Sequence, residues 1–330
     1  MERKKGLLLN IVFSFILFSF VILSIFCSSA KSAEYPSKEI NLILGFTPGG
    51  TLDVSIRIVV DELSKTLNTP IVIVNKAGGG GALAAEYVRE AKPDGYTLLP
   101  TSGGVFTILP FIPPELKYKL TDFIPLCKFA TSPNIFVVRK DSPYKSLEEV
   151  ITAAKKNPGK LSASAAGIGT SGHLNVELLN IAAGIQVVFI PVKSGAEQVT
   201  QIMGGHLDFS PVGLPAAMPL VRSGDFRAFA VTGGKRFPGL PNVPTIGEIG
   251  YPRATLDVWC GLFVPKGTPN SICEKLTKAF KKTVDSPAIA KNYENNGLMV
   301  DYIEGEEFVK FIDEERKVLK DLVTKAKIGQ

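Results

Sequence analysis

Apolar and polar positions along the chain predict a succession of short strands and helices. Ile40–Phe46 is a nearly unbroken apolar run, typical of a buried strand, and the Thr-Pro-Gly-Gly segment after it predicts a tight turn. Apolar residues then recur at helical spacing between Leu52 and Leu67. The pattern continues with a strand, a helix and a strand at Pro70–Val74, Ala82–Lys92 and Tyr96–Leu99. This alternation predicts a parallel sheet covered on both faces.

A second alternating block follows. Its predicted strands are Ile135–Val138, Leu161–Ala165, Val187–Ile190, Leu207–Val212 and Arg227–Thr232. Its predicted helices are Leu147–Lys156, His173–Ala183, Ala196–Met203 and Pro215–Arg222. After a Gly/Pro-rich stretch, the pattern predicts a strand at Thr255–Val264, a helix with Ile272, Leu276, Phe280 and Val284 on one face, and a last helix at Glu306–Lys325.

Two such blocks predict an α/β protein with two lobes, each a mainly parallel sheet flanked by helices, and a ligand cleft between them. We expect residues 34–133 and 262–330 to form the first lobe and residues 134–261 the second. The chain then crosses between the lobes twice, near Thr131–Asn134 and near Leu256–Val264. Clefts of this kind are common ligand sites and their crossing segments serve as hinges.

The first 33 residues predict a secretory signal peptide. The basic segment Met1–Lys5 precedes the uncharged, apolar segment Gly6–Phe26. The small residues Ser28, Ser29 and Ala30 favour cleavage after Ala30 over cleavage after Ala33. The apolar run is also close to the length that spans a bilayer, so a retained membrane anchor is the alternative. Lipidation of Cys27 is disfavoured by the bulky Phe26 before it. The protein is therefore expected in the periplasm or another extracytoplasmic space.

Composition and charge exclude several classes of protein and of binding site. An apolar fraction of 45% and a charged fraction of 21% exclude a disordered chain. The whole chain has 37 basic and 31 acidic residues and a net charge of +6. Residues 34–330 contain 33 basic and 30 acidic residues, and their net charge of +3 is too weak for a surface that binds nucleic acid. Cys127, Cys260 and Cys273 have neither the spacing nor the neighbouring histidines of a zinc site. The sequence allows one disulfide among these three cysteines but gives no basis for choosing the pair.

Four predicted strand ends carry glycine and hydroxyl residues that favour an anion site in the cleft. Bare backbone N–H groups and helix N-termini both attract negative charge. A single loop of this composition is more often a plain connection, but four meeting in one cleft favour a ligand. The candidate ligand-binding residues are Phe46, Thr47, Gly49, Gly50, Thr51, Asp53, Thr101, Ser102, Gly103, Ala165, Gly167, Thr170, Ser171, His173, Lys193, Ser194 and Val212.

Two of the charged candidates have competing interpretations. Asp53 lies in the first turn of its predicted helix, where stabilising the helix dipole is favoured over receiving a ligand amine. Lys193 follows a strand and pairs either with a ligand carboxylate or with solvent.

Motifs of catalysis are weak. Gly167–Gly172 matches GxGxxG, but no acid ends the next strand to hold a ribose, so a dinucleotide site is rejected. Ser171 and His173 suggest an exported hydrolase, yet GTSGH departs from GxSxG and a structural role at the helix start is favoured for His173. His206 is assigned no chemistry. No metal-binding motif appears, and neither a catalytic residue nor a cofactor is predicted.

Several segments together resemble the Bug-type receptors, the extracytoplasmic solute-binding proteins of tripartite tricarboxylate transporters. The resemblance covers essentially the whole mature chain, and the segments appear in the family's order. They are Tyr35–Lys38, Phe46–Asp53, Asn75–Gly81, Lys92–Leu99, Asn157–Leu161, Gly167–His173, Gly204–Asp208 and Arg236–Thr245.

The resemblance implies a type II-like, two-lobed periplasmic binding protein that closes on a small organic carboxylate and delivers it to membrane permease subunits. It implies that Phe46–Thr51 grips a carboxylate through backbone N–H groups, hydroxyls and bridging waters. The family's Tyr-Lys is replaced by Val192-Lys193, and its frequent Asp near the end of the strand after Gly-Gly-His by Val212. An amine-bearing ligand is therefore disfavoured against a plain mono- or dicarboxylate.

A monomer is expected. A receptor with this ligand binding could act either in transport or as the sensor of a two-component signalling kinase. The sequence does not distinguish these two functions. An interaction scaffold without a small ligand leaves the four glycine- and hydroxyl-rich loops unexplained.

Overall fold

The computed structural model describes residues 34–112 and 114–326. Residues from Lys38 onward form one compact unit, and all elements below belong to it. The predicted signal peptide lies outside the described residues. Among the helices that the structure does describe, none combines the length and apolar character needed to cross a bilayer.

Eleven strands and ten α-helices are found in the described part of the unit. The strands are β1 (Ile40–Leu44), β2 (Ile71–Asn75), β3 (Thr97–Ser102), β4 (Phe123–Ser132), β5 (Asn134–Arg139), β6 (Ser162–Ala165), β7 (Val188–Pro191), β8 (Ser210–Gly213), β9 (Phe226–Val231), β10 (Val258–Pro265) and β11 (Met299–Glu304). The helices are α1 (Thr51–Leu67), α2 (Ala82–Arg89), α3 (Gly104–Thr107), α4 (Leu147–Lys156), α5 (Ser171–Ala183), α6 (Gly195–Met203), α7 (Leu214–Ser223), α8 (Asn270–Val284), α9 (Pro287–Asn295) and α10 (Gly305–Lys325).

The larger sheet has six strands in the order β11-β4-β10-β3-β1-β2. β1 pairs in parallel with β2 and β3, as the strand-helix-strand pattern predicts. β10 runs antiparallel to both β3 and β4, and β11 runs antiparallel to β4.

The smaller sheet system begins where the chain leaves β4 through the single residue Pro133. β5 lies between β8 and β9 and is antiparallel to both, whereas β6 and β7 pair in parallel. β6 joins β8 through side chains: the Ser162 N–H donates to Asp208 at 2.7 Å and the Ser164 N–H to the Ser210 hydroxyl at 2.9 Å.

The expected α/β class is found, but the prediction of mainly parallel sheets needs correction, because both sheet systems are mixed. A chain that enters a second sheet and later returns must run back in the opposite direction. The crossing strands β4 and β10 are therefore antiparallel neighbours.

Helix α1 shows how local pattern places the site. Its apolar stripe, Leu52, Ile56, Val59, Leu63 and Leu67, is buried as the helical spacing predicts. Asn68 ends the helix in a left-handed conformation, and the N-cap at the other end is Gly50. Burial of the stripe fixes the axis of α1, so its first turn is held at the carboxyl end of β1.

The division into a first lobe of residues 34–133 and 262–330 and a second lobe of residues 134–261 stays a prediction. The segment between β4 and β10 contains all of β5–β9, and the helices from α8 onward pack back on α1, β4 and β11. The proposed limit after residue 261 runs through β10, which belongs entirely to the six-stranded sheet. Four elements were not predicted: α3, β4, α9 and β11.

Candidate functional site

An open cavity of about 850 Å³, part of it continuous with solvent, lies where the two sheet systems meet. Its wall comes from the loops that follow β1, β3, β6 and β7, from the start of β5, from the end of β8 and from Leu256–Trp259. Glu315 and Leu319 of α10 complete it. The four strand ends rich in glycine and hydroxyl residues therefore do converge on one space.

The loop after β1 is fixed by the buried side chain of Asp53. Its carboxylate accepts the Gly49 N–H at 2.9 Å, two N–H groups of Arg57 at 2.8 and 3.0 Å, and the Asn75 amide at 3.2 Å. Burial raises the pKa of Asp53, but the donors from Arg57, Gly49 and Asn75 outweigh it, so the net direction is downward. Asp53 shapes the loop from behind and does not line the cavity.

The first turn of α1 opens into the cavity with its backbone donors unused by the helix. Gly50 provides no side-chain cap, and the first intrahelical bond joins the Val54 N–H to the Gly50 carbonyl. Gly50, Thr51 and Leu52 all line the cavity. A 17-residue helix thus presents N–H groups and the positive end of its dipole to a bound group.

Helices α5 and α6 also begin at the wall. Thr170 caps α5 by accepting the His173 N–H, and Ser194 caps α6 by accepting the Glu197 N–H. Thr170, Ser171 and Gly172 line the cavity at α5, and Ser194 and Gly195 line it at α6. Three helix N-termini and several hydroxyl groups therefore surround the space, which makes this part of the wall electropositive without a cationic side chain.

Close approach of neighbouring side chains explains the glycines at positions 103 and 213 of the wall. A Cβ on Gly103 would lie 2.2 Å from the Trp259 ring, which packs directly under this loop. A Cβ on Gly213, at the end of β8, would lie 2.5 Å from the Thr51 hydroxyl at the start of α1.

Ten of the candidate residues line the cavity: Phe46, Thr47, Gly50, Thr51, Ser102, Gly103, Ala165, Thr170, Ser171 and Ser194. The other seven do not: Gly49, Asp53, Thr101, Gly167, His173, Lys193 and Val212. Lys193 is exposed, and Val212 is fully buried in the pairing of β8 with β5. Thr101 is also fully buried, because alternate residues of β3 point to opposite faces of the sheet.

Comparison with known proteins identifies the family. Residues 55–328 match the model of the tripartite tricarboxylate transporter family receptor, named TctC. The chain belongs to this receptor family. It is 32% identical to a UPF0065 protein of Bordetella pertussis over 288 residues, which cover 87% of this chain and 89% of the relative.

Two solved receptors from Rhodopseudomonas palustris share the fold. Rpa4515 with adipate has a TM-score of 0.86 at 28% identity, with 89% of this chain and 99% of that chain covered. MatC (Rpa3494) with bound malate has a TM-score of 0.81 at 28% identity, with 88% and 100% covered. The two-lobed periplasmic binding fold expected from the sequence is therefore confirmed, and the family is one of solute receptors, not of enzymes.

The contacts of Ser171 and His173 agree with a receptor. The Ser171 hydroxyl accepts from the Asn134 amide at 3.1 Å, while Nδ1 of His173 accepts the Gly169 N–H at 3.2 Å. The imidazole stacks on Phe189 with centroids 3.8 Å apart. Burial lowers its pKa to about 4, so the ring is neutral at pH 7. His173 holds the 167–169 loop in place, as a structural role requires.

Cysteine and metal chemistry are absent from the described part of the site. Cys127, Cys260 and Cys273 are free thiols, the first two fully buried. Burial raises the pKa of Cys260 to about 12, so this thiol is unreactive. Within residues 34–112 and 114–326, no group of three or more acidic, histidine or cysteine side chains is arranged to hold a metal.

Sequence reasoning missed six polar or aromatic residues of the wall: Thr107, Asn134, Gln198, Asp257, Trp259 and Glu315. Asn134 and Asp257 are single polar residues at the start of apolar strands, a signal that was available in SPNIFVV and TLDVWC. Glu315 gives no such signal, because it is one of several acids along the amphipathic α10.

The two acids of the wall differ in how their carboxyl groups are held. Oε2 of Glu315 accepts the Trp259 indole N–H at 2.8 Å. Burial raises the pKa of Glu315, opposed by hydrogen bonds from Trp259 and Thr107 and by the charge of Lys128. Oδ1 of Asp257 accepts the Thr232 hydroxyl at 2.6 Å, and burial raises its pKa as well.

Proposed function

We propose that this protein is an extracytoplasmic receptor that binds a small organic carboxylate in the cavity and delivers it to the membrane subunits of a tripartite tricarboxylate transporter. The observation that carries the proposal is the convergence of three helix N-termini and a ring of hydroxyl groups on one cavity. The carboxylates named with the two Rhodopseudomonas structures support the same ligand class.

The ligand carboxylate would lie at the first turn of α1, within reach of the Thr47 and Thr51 hydroxyls. Hydrogen bonds to a charged group contribute about 1.5–3 kcal/mol each, and the helix N-terminus adds to them. Ser102, Ser171 and Ser194 would contact the rest of the molecule. Because the cavity wall comes from both sheet systems, a ligand that contacts both favours their closure about the crossing strands β4 and β10. The permease would then recognise the closed form.

Delivery requires export, which we assign to residues 1–33. The expected mature protein begins after Ala30 and is recovered from the periplasm. N-terminal sequencing of the exported protein checks this, and recovery of the full-length chain in the membrane fraction would favour an anchor instead.

Binding is tested by a thermal-shift screen of mono-, di- and tricarboxylates on the mature protein, followed by calorimetric titration of the tightest binder. A ligand at one hundred times its Kd stabilises the native state by about 2.7 kcal/mol, which raises the melting temperature measurably. If no carboxylate in the screen shifts the melting temperature, the proposal fails.

The residues that bind are tested with Thr51→Val, which keeps the side chain's shape and removes its hydroxyl. We expect the Kd to rise about tenfold or more through loss of a hydrogen bond to a charged group. Thr324→Val is the matched control, since Thr324 is exposed on α10 outside the cavity wall. Equal affinity of Thr51→Val and wild type would remove the first loop from the site.

A further inference from the structure

Among the described residues, Asp257 is one of two acids in the wall of a cavity whose helix N-termini and hydroxyl groups suit anions. It is only partly exposed, and it lines the same space as the first turns of α1, α5 and α6. A carboxylate at this place repels a second carboxylate, so the cavity wall is not uniform in charge. One part favours negative groups and another part disfavours them.

The orientation of the Asp257 side chain is fixed from behind. The Asn134 N–H donates to the Thr232 hydroxyl at 2.8 Å, which in turn donates its only hydrogen to Oδ1 of Asp257 at 2.6 Å. This chain of bonds uses one carboxylate oxygen and leaves Oδ2 without a hydrogen-bond partner among the described residues. Glu315 differs because its carboxyl group has two hydrogen-bonding partners, Trp259 and Thr107.

No cation of the described residues forms an ion pair with Asp257. Lys128, whose positive charge acts on Asp257, is almost fully buried and pairs with Asp301 at 2.5 Å. Lys128 also lies over the Phe311 ring, 4.3 Å from its centroid, which keeps it at that place. Three carboxyl groups, Asp257, Asp301 and Glu315, thus share one buried lysine. Adding a hydrogen-bond donor next to Asp257 would offset this local excess of negative charge.

We propose that Asp257 is the specificity-determining residue of the cavity, and that its free oxygen accepts a hydrogen bond from a hydroxyl or ammonium group on the carbon skeleton of the carboxylate ligand. This inference rests on the proposed function and narrows its ligand class to donor-bearing carboxylates. The plain mono- or dicarboxylate was expected because Val192 and Val212 replace residues frequent in the family, whereas Asp257 supplies an acid from another place, directly before β10.

The test compares ligands that share a skeleton and differ in one substituent. Calorimetric titrations at pH 7.5 use succinate, malate and aspartate, and the six-carbon set of adipate, 2-hydroxyadipate and 2-aminoadipate. On the skeleton that binds, we expect the hydroxy or the amino acid to bind about tenfold or more tightly than the plain acid. Which of the two is preferred distinguishes a hydroxyl donor from an ammonium donor.

The variant Asp257→Asn keeps the size of the side chain and tests the residue. In this variant the amide oxygen takes the place of Oδ1 and accepts the hydrogen bond from the Thr232 hydroxyl. The NH₂ group then takes the place of Oδ2, so a hydrogen-bond donor replaces the free acceptor. We expect the preference for the donor-bearing acid to disappear and the plain dicarboxylate to gain affinity. Asp61→Asn, an exposed position on α1, is the control and keeps the wild-type preference.

Failure of this inference is separable from failure of the proposed function. A plain acid that binds the wild type as tightly as its hydroxy and amino counterparts overturns the role of Asp257 while leaving carboxylate binding intact. Survival of the preference in Asp257→Asn does the same. The affinities of the different ligands are compared on the wild-type protein. The proposal therefore remains testable even if Asp257→Asn does not fold. Absence of binding by every carboxylate in the earlier screen would instead reject the proposed function.

Discussion

At the scale of single residues, the site depends on side chains that fix loops without touching the cavity. Asp53 and His173 are both buried, and each accepts a backbone N–H from a glycine of a cavity loop, Gly49 and Gly169 respectively. Both were candidate ligand contacts in the sequence, although a role in the helix start was favoured for each. The contacts show that they hold the backbone of loops whose neighbouring residues line the cavity.

His173 predicts a pH dependence of stability. Its pKa falls from 6.5 to about 4 on folding, so the unfolded state binds more protons between these values. Stability is therefore full above pH 6.5 and falls with pH down to about 4, by as much as about 3 kcal/mol. Urea unfolding from pH 4 to 7.5 measures this slope.

The matched variants for this prediction are His173→Gln and His206→Gln. Replacing His173 removes its part of the slope, whereas replacing the exposed His206 leaves the slope unchanged. A wild-type slope retained in His173→Gln would show that other groups cause it.

At the scale of elements, α1 is a strongly amphipathic helix whose N-terminus lacks a side-chain cap. Ser146 caps α4 and Ser194 caps α6, so the chain uses serine for this purpose elsewhere. Gly50 at α1 leaves the first N–H groups to other partners, at the place where the cavity begins. A missing cap costs the helix a few tenths of a kcal/mol relative to serine, and the carboxylate proposed to bind here would supply the missing acceptor.

This element predicts opposite effects of Gly50→Ser on stability and on binding. Gly50 has an ordinary extended backbone, and a Cβ there would make only a van der Waals contact with the Thr47 carbonyl oxygen at 3.7 Å, so serine fits. Its hydroxyl should cap α1, raise the stability of the unliganded protein slightly, and occupy N–H groups that the ligand needs. Unfolding and calorimetric titration measure the two effects.

Ser146→Gly is the counterpart for this prediction, because it removes a cap from α4 outside the cavity wall. It should lower stability and leave the Kd unchanged. Unchanged affinity in Gly50→Ser would mean that the ligand does not use the first turn of α1.

At the scale of the whole molecule, loops of the two sheet systems touch through glycine backbones. A Cβ on Gly80 would lie 2.6 Å from the Ile168 carbonyl oxygen, and one on Gly104 would lie 2.6 Å from that of Gly169. Backbone meets backbone here, so neither side can yield by rotating a side chain. These contacts belong to the arrangement in which the proposed lobes are close together.

Gly104→Ala should therefore disfavour closure. Gly104 is the first residue of α3 and its φ is not in the left-handed region, so alanine is tolerated locally and the unliganded protein should keep its stability. The Kd for the carboxylate should rise about tenfold, and small-angle scattering with saturating ligand should show a larger radius of gyration than for wild type. The control is Gly234→Ala, where a Cβ meets open space. Full compaction of Gly104→Ala with ligand would contradict the role of this contact.

The sequence by itself determined the local elements and the chemistry of the loops. Helix α4 begins and ends as predicted, and α1 buries the stripe that its spacing indicates, because both patterns depend on neighbours along the chain. The loops rich in glycine and hydroxyl residues were found for the same reason: turn chemistry is local. Strand β4 was not predicted, since its ten residues include Pro125 and Lys128. Lys128 is accommodated in the core by its contacts with Asp301 and Phe311, both far away in sequence.

The tertiary structure alone decided which groups face the cavity. Asp257 and Glu315 are 58 positions apart in the sequence, and they reach one cavity because β10 returns to the larger sheet and α10 packs beside it. Neighbouring residues such as Thr101 and Ser102 point to opposite faces, so the burial of one and the access of the other follow from the sheet and not from residue type. Periodicity and turn chemistry are properties of short segments, whereas the acceptor that faces a ligand is defined only once distant segments have packed together.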